Sequence, residues 1–281
     1  MHAPDAIPIP APALERTVAA HLAPAHVPPG ALAGAVVIMI DALRASVTIT
    51  AALARGCTRI LPTLTVDDAH ALAATLRAAA PPDSLPPLLG GERAGAHIPS
   101  FDLDNSPDAY TAPRVAGRTV IFTTTNGTAA LLAAARAGAA EIAVGSLPNR
   151  AALLARYARD PRPLCLLCAA TRSATTYEDT IAAGALAAAF LAAGRNLAPD
   201  DTALLCMQAW QTAGAGHDPA RLLAAMRSGR GGRNLIRIHK DHDILTCAQV
   251  DAFDIVPIYR PAVQGRPDGA RGAGEITLAP G

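Results

Sequence analysis

The stretch Ile121–Ala130, IFTTTNGTAA, indicates both a fold and a binding site. A short apolar strand from Val120 runs into a polar loop, and a helix rich in alanine and leucine follows toward Arg136. The first N–H groups of a helix lack partners and its dipole is positive there, so this geometry binds anions. The alternative is a helix that is simply capped by Thr or Asn after a buried strand. The anion-binding interpretation uses Thr124, Thr125, Asn126, Gly127 and Thr128.

Composition narrows the class of protein. The 281 residues are enough for one large or two modest domains, and with only 3% aromatic residues the core must be built from Ala, Leu, Ile and Val. A net charge of +1 without a basic helix predicts no nucleic-acid partner. Five irregularly spaced cysteines fit a reducing compartment and core positions. No apolar run is long enough to span a bilayer, which predicts a cytoplasmic protein with no membrane partner.

The first 34 residues, rich in Pro and Ala, are predicted to be a loosely attached arm with a short helix around Leu14–Leu22. The ordered chain is expected to begin at Ala35–Ile40, AVVIMI, a run apolar on both faces that is typical of a central parallel strand. Asp41 then stands at the carboxyl end of this strand, where open α/β sheets place ligands. The alternative is that Asp41 caps the next helix.

Two further loops carry charged or amide side chains. The run GGERAG, with Glu92 and Arg93 between glycines, follows Leu88–Leu89. It is predicted to be a tight loop that holds these two charged side chains against another group. The run FDLDNSP, which contains Asn105, has the Asx and Ser residues of a turn before its proline. Simple solvated charges are the alternative interpretation of both loops.

A third acidic loop follows the predicted strand Leu164–Cys168, before the helix predicted over Ile181–Ala193. Glu178 and Asp179 lie at its start, where acidic side chains also cap helices. Paired carboxylates at such a loop are suitable oxygen ligands for Mg²⁺. With Asp41 they form the predicted metal set: Asp41, Glu178 and Asp179.

Two phosphatase classes are excluded by spacing. Haloacid-dehalogenase-type enzymes need a second Asp where this chain has Leu43, and cysteine phosphatases need a Cys five residues before an Arg, whereas Cys168 is too near Arg172 and Cys165 too far. His239, Asp241, His242 and Asp243 form a dense metal-like cluster, and the pair His242–Asp243 resembles the HD hydrolase dyad. An HD-type metal phosphohydrolase therefore remains an alternative.

Six motifs occur in order between about residues 35 and 259: IDALRAS, GERAG, FDLDNSP, TTTNGT, YEDT with the following AAG, and SGRGGRNL with D…C…D…VP. This pattern resembles the 2-phosphosulfolactate phosphatase (ComB-like) family. Three positions depart from it: Asp104 and Ala94 stand where the family usually has Gly, and the loop before Tyr177 reads ATRSATT instead of a glycine-bearing stretch.

The resemblance implies a Mg²⁺-dependent phosphatase of α/β/α architecture that converts 2-phosphosulfolactate to 3-sulfolactate, a step in coenzyme M synthesis. Its motifs fall on Asp41, Arg44, Glu92, Arg93, Asn105, Thr124, Thr125, Asn126, Glu178 and Asp179. We therefore expect an α/β fold, a three-layer sandwich with largely parallel sheets. Its expected parts are an arm (1–34), two subdomains (35–150 and 151–260) with the site in the cleft between them, and a Gly/Pro-rich tail (261–281) that is extended or mobile.

The expected mechanism is metal-assisted hydrolysis of a small anionic phosphate ester, and a homodimer is compatible with it. The catalytic candidates are Asp41, Arg44, Glu92, Arg93 and Asp179, and Asp41 is the one candidate nucleophile. Arg44, Arg93 and Arg172 exceed what one phosphate needs, which predicts a substrate with a second acid group. The alternatives are that these arginines pair with Glu92, Asp102 or Asp104, or that the chain is a non-enzymatic anion-binding module.

Overall fold

The computed structural model describes residues 16–262 and 274–279, and within them ten strands form one sheet. Six strands lie in the first 150 residues: β1 (Thr17–His21), β2 (Val36–Ile40), β3 (Arg59–Thr63), β4 (Leu88–Gly91), β5 (Thr119–Thr123) and β6 (Glu141–Gly145). Four follow: β7 (Leu164–Cys168), β8 (Asn196–Leu197), β9 (Pro257–Arg260) and β10 (Glu275–Leu278).

The helices of the described residues are α1 (Ala45–Ala54), α2 (Val66–Ala78), α3 (Ala112–Val115), α4 (Gly127–Arg136), α5 (Arg150–Tyr157), α6 (Tyr177–Ala192), α7 (Thr202–Thr212), α8 (Pro219–Ser228), α9 (Arg230–Arg237) and α10 (His242–Cys247). The last third of the chain is mainly helical. None of the helices in residues 16–262 and 274–279 has the length and hydropathy needed to cross a membrane.

The strand order is β4-β5-β3-β10-β9-β6-β2-β7-β1-β8. Pairs among β1–β8 are parallel, whereas β9 and β10 run antiparallel to their neighbours. Strands β2 and β7 lie side by side at the centre of one half of the sheet, with Ile40 opposite Cys168. The carboxyl ends of β2 and β7 therefore open onto the same edge of the sheet.

Residues of β2 alternate between two apolar cores, one on each face of the sheet. Val36, Ile38 and Ile40 pack into a core with α6 and α7, whereas Val37 and Met39 pack into a core with α1 and α4. A strand buried on both faces needs an apolar residue at every position, which is why VVIMI is continuous rather than alternating. The predicted three-layer α/β sandwich with a largely parallel sheet is confirmed. All five cysteines are buried and unpaired, as core positions require.

One prediction about the chain ends is wrong. Residues Thr17–His21, expected to be part of an arm and a short helix, form β1 between β7 and β8, because Val18 and Ala20 supply apolar side chains to the core. In the tail, expected to be extended or mobile, Glu275–Leu278 is extended as β10, which pairs with both β3 and β9 and contains the fully buried Ile276. Residues 1–15, 263–273 and 280–281, which belong to the predicted arm and tail, lie outside the described residues.

The expected division near residue 150 does not separate two sheets. Strands β6 and β2 from the first half pair with β9 and β7 from the second. Hydrogen bonding across the sheet is therefore continuous over the expected boundary, and the two subdomains remain a prediction about folding units.

Candidate active site

A cavity of about 450 Å³ opens at the carboxyl ends of the strands, a volume within the range of small-ligand sites. It is lined from both halves of the chain, so the predicted loops do converge. Seven predicted residues line it: Asp41, Arg44, Glu92, Asn105, Thr125, Asn126 and Arg172. The other predicted residues, Arg93, Thr124, Gly127, Thr128, Glu178 and Asp179, do not line it.

Asp41 follows β2 and lies beside the start of α4. Its backbone N–H donates to Ser46 Oγ at 2.9 Å, and its Oδ1 accepts a long 3.4 Å hydrogen bond from the amide of Ala45. A Cβ atom at Gly127 would come within 3.0 Å of Asp41 Oδ2. Glycine is therefore needed at position 127 so that the first turn of α4 can approach the carboxylate.

The threonine loop divides into a buried half and a half that faces the cavity. Thr124 Oγ1 accepts from the amide of Thr128 at 3.3 Å, and both side chains are buried. Thr125 and Asn126 line the cavity, and Asn126 makes no side-chain capping bond to α4. Simple capping by Asn126 therefore does not explain this loop. The donors of Thr125 are bound by Glu92 and Asn126 Oδ1 accepts from the amide of Arg172, so the Asn126 Nδ2 group is the side-chain donor of these two residues that has no partner among the described residues.

The acidic side chains around Asp41 repel one another. Burial and the charges of Asp179 and Glu92 raise the pKa of Asp41 well above its ordinary value. Burial, with the charge of Asp179, raises the pKa of Glu178 to about 7, and burial raises the pKa of Asp179 to about 6. Perturbed carboxyl groups around a cleft are typical of functional sites, and a bound cation would relieve their repulsion.

Asp179 and Glu178 fasten other elements to this cluster. The two oxygens of Asp179 accept from the amides of Ala42 at 2.8 Å and Ala170 at 3.1 Å, so the side chain ties together the loops after β2 and β7. Glu178 Oε1 accepts from the amide of Gly231 at the start of α9 at 2.7 Å. Its Oε2 is buried without a hydrogen-bond partner among the described residues, which leaves one anionic oxygen unsatisfied.

Glu92 and Arg93 brace the loop after β4. Glu92 accepts from the amide of Thr125 at 2.7 Å and from that of Gly95 at 2.5 Å. Arg93 donates to Leu64 O and to Thr123 Oγ1, both at 2.7 Å, and to Glu92 O at 2.9 Å. The prediction that Arg93 faces a substrate is therefore wrong in position, because its guanidinium is directed to protein oxygens.

Arg44 lines the cavity but is already paired. Its Nη1 lies 2.5 Å from Asp243 Oδ2, and its Nη2 donates to Gly95 O at 2.7 Å. Both side chains of this ion pair are almost fully buried. Arg44 therefore forms an ion pair, as the alternative interpretation predicts, but its partner is Asp243 and not Glu92, Asp102 or Asp104.

Asp243, the aspartate that the HD-type hydrolase alternative needs, is bound in this ion pair with Arg44. Asp243 is fully buried and also accepts from Ser106 Oγ, whereas the side chain of His242 is 54% exposed. In residues 16–262 and 274–279, no group of three or more His, Cys, Asp or Glu side chains is arranged to hold a metal ion.

The residues around Asp41 nevertheless fit Mg²⁺ in charge and donor type. They are carboxylates, they repel one another, and one buried oxygen of Glu178 has no partner among the described residues. Mg²⁺ in phosphoryl-transfer sites is commonly held by one or two carboxylates, several waters and the substrate phosphate, without an all-protein cage. A site completed by substrate is consistent with the lack of a preformed ligand group in the described residues.

Sequence reasoning did not assign a role to the arginines of α9. Arg230, Arg233 and Arg237 all line the cavity, although they appear in the sequence only as part of the SGRGGRNL run and just after it. Their spacing on one helix face was the available signal. The Arg44–Asp243 pair was missed because the two residues are far apart in sequence and Asp243 stood in a more conspicuous histidine cluster.

Comparison with known proteins identifies a family for the chain. The family model described as 2-phosphosulpholactate phosphatase matches residues 21–262. A "Probable 2-phosphosulfolactate phosphatase" of Symbiobacterium thermophilum is 37% identical over 235 residues, which cover 83% of this chain and 95% of that protein. Proteins of the same name from Caldanaerobacter subterraneus and Deinococcus radiodurans are 34% and 35% identical, over 79% and 80% of this chain and 86% and 88% of their own lengths.

The α/β sheet, the cavity at its carboxyl edge and these similarities together define a phosphatase, a phosphoric monoester hydrolase. The chain belongs to the 2-phosphosulfolactate phosphatase family.

Proposed function

We propose that this enzyme hydrolyses 2-phosphosulfolactate, or a closely related small phosphorylated acid, to 3-sulfolactate and phosphate with the help of Mg²⁺. The observation that carries the proposal is Asp41, a carboxylate with a strongly raised pKa at the wall of a cavity that is otherwise rich in arginine. Such a cavity accommodates both a cation and an anionic ester. The names of the relatives supply the substrate class.

In this proposal the chain binds the phosphoryl group at the loop before α4. Asn126 offers its side-chain N–H groups at the cavity, and Arg172 adds a guanidinium that has no partner among the described residues. Donors that are already positioned for the developing charge stabilise the transition state without reorganisation. Glu92 keeps this loop in place through its hydrogen bond to the amide of Thr125.

Asp41 is the residue placed to hold Mg²⁺ directly, while Glu178 and Asp179 add negative charge behind it. When bound, the cation would neutralise phosphate oxygens and orient a water. Asp179 also positions the backbone that carries Asp41, because its side chain accepts hydrogen bonds from the amides of Ala42 and Ala170. A covalent role for Asp41 remains the alternative to direct attack by water.

The substrate assignment can be tested by measuring phosphate release from a panel of esters in the presence of Mg²⁺. The panel contains 2-phosphosulfolactate, 2-phospholactate and phenyl phosphate, which has no second acid group. We expect the highest kcat/KM for the two phosphorylated acids. Equal or higher kcat/KM for phenyl phosphate would contradict the substrate class, and no release from any ester would contradict the phosphatase activity itself.

A further inference from the structure

Helix α9 presents three arginines to the cavity. Arg230, Arg233 and Arg237 are spaced at i, i+3 and i+7, which places them on one face of the helix. All three side chains line the same cavity as Asp41. Residues between them, such as Gly232 and Leu235, are buried and hold the helix against the rest of the protein.

These guanidinium groups form no salt bridge with any of the described residues. Arg230 donates to Thr171 O at 3.3 Å, Arg233 to Ser228 O, and Arg237 to Asn234 Oδ1 at 2.7 Å. All three acceptors are neutral oxygens, and Arg233 acts on the carboxyl group of Glu178 only through its field. In contrast, Arg44 in the same cavity is neutralised by Asp243. The α9 arginines therefore bring positive charge to the cavity that no ion pair within the described part of the chain neutralises.

Two of these arginines lie at the end of α9 where a positive charge is least favourable. Arg230 and Arg233 lie in the first turn of α9, and no side-chain cap is made by Gly229 before it. Because the helix dipole is positive at this end, cations are disfavoured there and anions are favoured. The carboxylate of Glu178, which accepts from the amide of Gly231 at 2.7 Å, offsets part of the positive charge at this end. The guanidinium groups themselves have no ion-pair partner in the described part of the chain, and a bound anion would supply one.

An unsatisfied polar side chain in the same cavity points to a ligand independently. Asn105 is only 4% exposed and lines the cavity, yet its Oδ1 has no hydrogen-bond partner among the described residues. Buried amide groups are nearly always hydrogen-bonded in folded proteins. A bound polar molecule would satisfy this side chain, which can turn either its oxygen or its N–H groups toward the ligand.

We propose that Arg230 and Arg233, with Arg237 one turn further on, form a second anion subsite that binds the non-phosphate acid group of the substrate. This proposal rests on the proposed function, because it assigns the second group of the same substrate class. The phosphoryl group is already provided for by the loop before α4, Arg172 and a cation near Asp41. Planar guanidinium forks match the oxygens of a carboxylate or a sulfonate, and selection of this acid group would thus come from α9.

The test compares Arg230→Ala, Arg233→Ala and the double variant with wild type. The substrates are 2-phosphosulfolactate, 2-phospholactate and phenyl phosphate. We expect KM for the phosphorylated acids to rise about tenfold for each arginine lost, the usual scale of a charge-assisted contact. The loss of kcat/KM should be at least about ten times smaller on phenyl phosphate, which has no second acid group to lose a contact. Both phosphorylated acids carry a carboxylate, and only 2-phosphosulfolactate carries a sulfonate as well. A larger loss on 2-phosphosulfolactate therefore assigns the subsite to the sulfonate, whereas equal losses on the two acids assign it to the carboxylate.

Two controls separate the subsite from the fold. Arg221→Ala removes an exposed arginine of the neighbouring α8 that does not line the cavity, and it should leave KM for every substrate unchanged. Arg233→Lys keeps the charge but loses the planar fork, so its KM should fall between those of wild type and Arg233→Ala. Melting temperatures of all variants show whether α9 stays folded.

Equal losses on all three substrates would overturn the proposal, because the arginines would then serve the phosphoryl group or the fold. Unchanged KM for the phosphorylated acids would overturn it as well. If wild type hydrolyses none of the esters, the proposed function fails. The subsite is then tested by calorimetric titration with 3-sulfolactate, whose binding should weaken at least about tenfold in the double variant; equal binding would overturn it.

Discussion

At the scale of single residues, Asp41 shows how the fold makes a carboxylate responsive to a cation. Its burial and its acidic neighbours disfavour the ionised form. Its own hydrogen bonding compensates little for this, since the backbone bond that its side chain accepts from Ala45 is 3.4 Å long. The site is thus arranged to gain from a positive charge that the surrounding carboxylates do not supply.

Asp104 illustrates how a departure from the family pattern is accommodated. Its Oδ2 lies 2.7 Å from Lys240 Nζ, and its Oδ1 accepts from the amide of Ser106 at 3.0 Å. Partial burial acts to raise the pKa of Asp104, but the hydrogen bonds and charge of Lys240 and Ser106 outweigh it, so the pKa is lowered. The added negative charge is therefore neutralised before it can repel an anionic substrate.

We predict that Asp104→Asn destabilises the protein by about 0.5–1 kcal/mol at pH 7, since Lys240 remains one-third exposed and solvent screens the pair. A carboxyl group with a lowered pKa stabilises the fold above its ordinary unfolded-state pKa, and this contribution disappears as the pH falls through the lower folded-state value. Urea unfolding at pH 7 and near pH 3 measures the difference, which should shrink at the acidic pH.

Asp83→Asn, an exposed aspartate without a salt bridge in the described residues, is the control and should not change the unfolding free energy at either pH. A cost for Asp104→Asn that stays constant from pH 7 to pH 3 would show that the charge of Asp104 is not what stabilises the loop.

At the scale of elements, two tight turns hold the loop before α4 from either side. One turn joins Arg93 to Ala96 and the other joins Thr171 to Ala174. From them the amide of Ala94 donates to Thr125 Oγ1 and that of Arg172 to Asn126 Oδ1, each at 3.3 Å. Strands β4 and β7 therefore position the candidate phosphate loop through their turns.

Both turns contain left-handed residues that are not glycine. Ala94 has φ +53°, Arg172 has φ +51° and Ser173 has φ +64°. Residues other than glycine are strained in this conformation, so both turns are kept at a local steric cost of about 1–2 kcal/mol per residue.

Gly91, at the end of β4, cannot be replaced by a residue with a side chain. A Cβ there would lie 1.9 Å from Thr123 O, because β4 and β5 approach closely just before the two site loops. We predict that Gly91→Ala costs about 3 kcal/mol or more of unfolding free energy, the scale of a severe core clash. Chemical denaturation measures this loss.

Gly194→Ala is the matched control, since Gly194 also has a positive φ of +85°, but a Cβ atom at this position would have no neighbour within 4 Å among the described residues. Its cost should be limited to backbone conformation, about 1 kcal/mol. Equal costs at the two positions would mean that the contact with Thr123 O is not what requires glycine at position 91.

At the scale of the whole molecule, the sequence predicts the parallel half of the sheet well. The runs Ala35–Ile40 and Leu164–Cys168 are apolar at every position, and such runs have few alternatives to a strand buried on both faces. Site loops could be predicted for the same reason, because polar residues directly after such strands must lie at one edge of the sheet.

The sequence could not show which strands pair with one another or which residues the charged side chains contact. Strand β10 pairs with β9, the strand before it in the chain, and with β3, which is distant in sequence. Its short EITL run has no local signal strong enough to outweigh the flanking glycines and prolines. Similarly, the sequence places Arg44 and Arg93 in loops of the predicted site, but only the fold determines that Arg44 pairs with Asp243 and that Arg93 donates to protein oxygens outside the cavity. Besides Arg172, three cavity-lining arginines without a salt bridge in the described residues come from α9, to which the loop-based reasoning assigned no role.

The measurement that tests the central claim most directly is phosphate release from 2-phosphosulfolactate by wild type and by Asp41→Asn, with Mg²⁺ and after exhaustive treatment with EDTA. We predict that wild type loses its activity in EDTA and regains it with Mg²⁺. Asp41→Asn should be at least about a hundredfold slower, the scale of losing a main electrostatic group in a site. Its melting temperature should not fall, because the variant removes a buried, repelled carboxylate. Full wild-type activity without a divalent cation, or undiminished turnover by Asp41→Asn, would contradict the account.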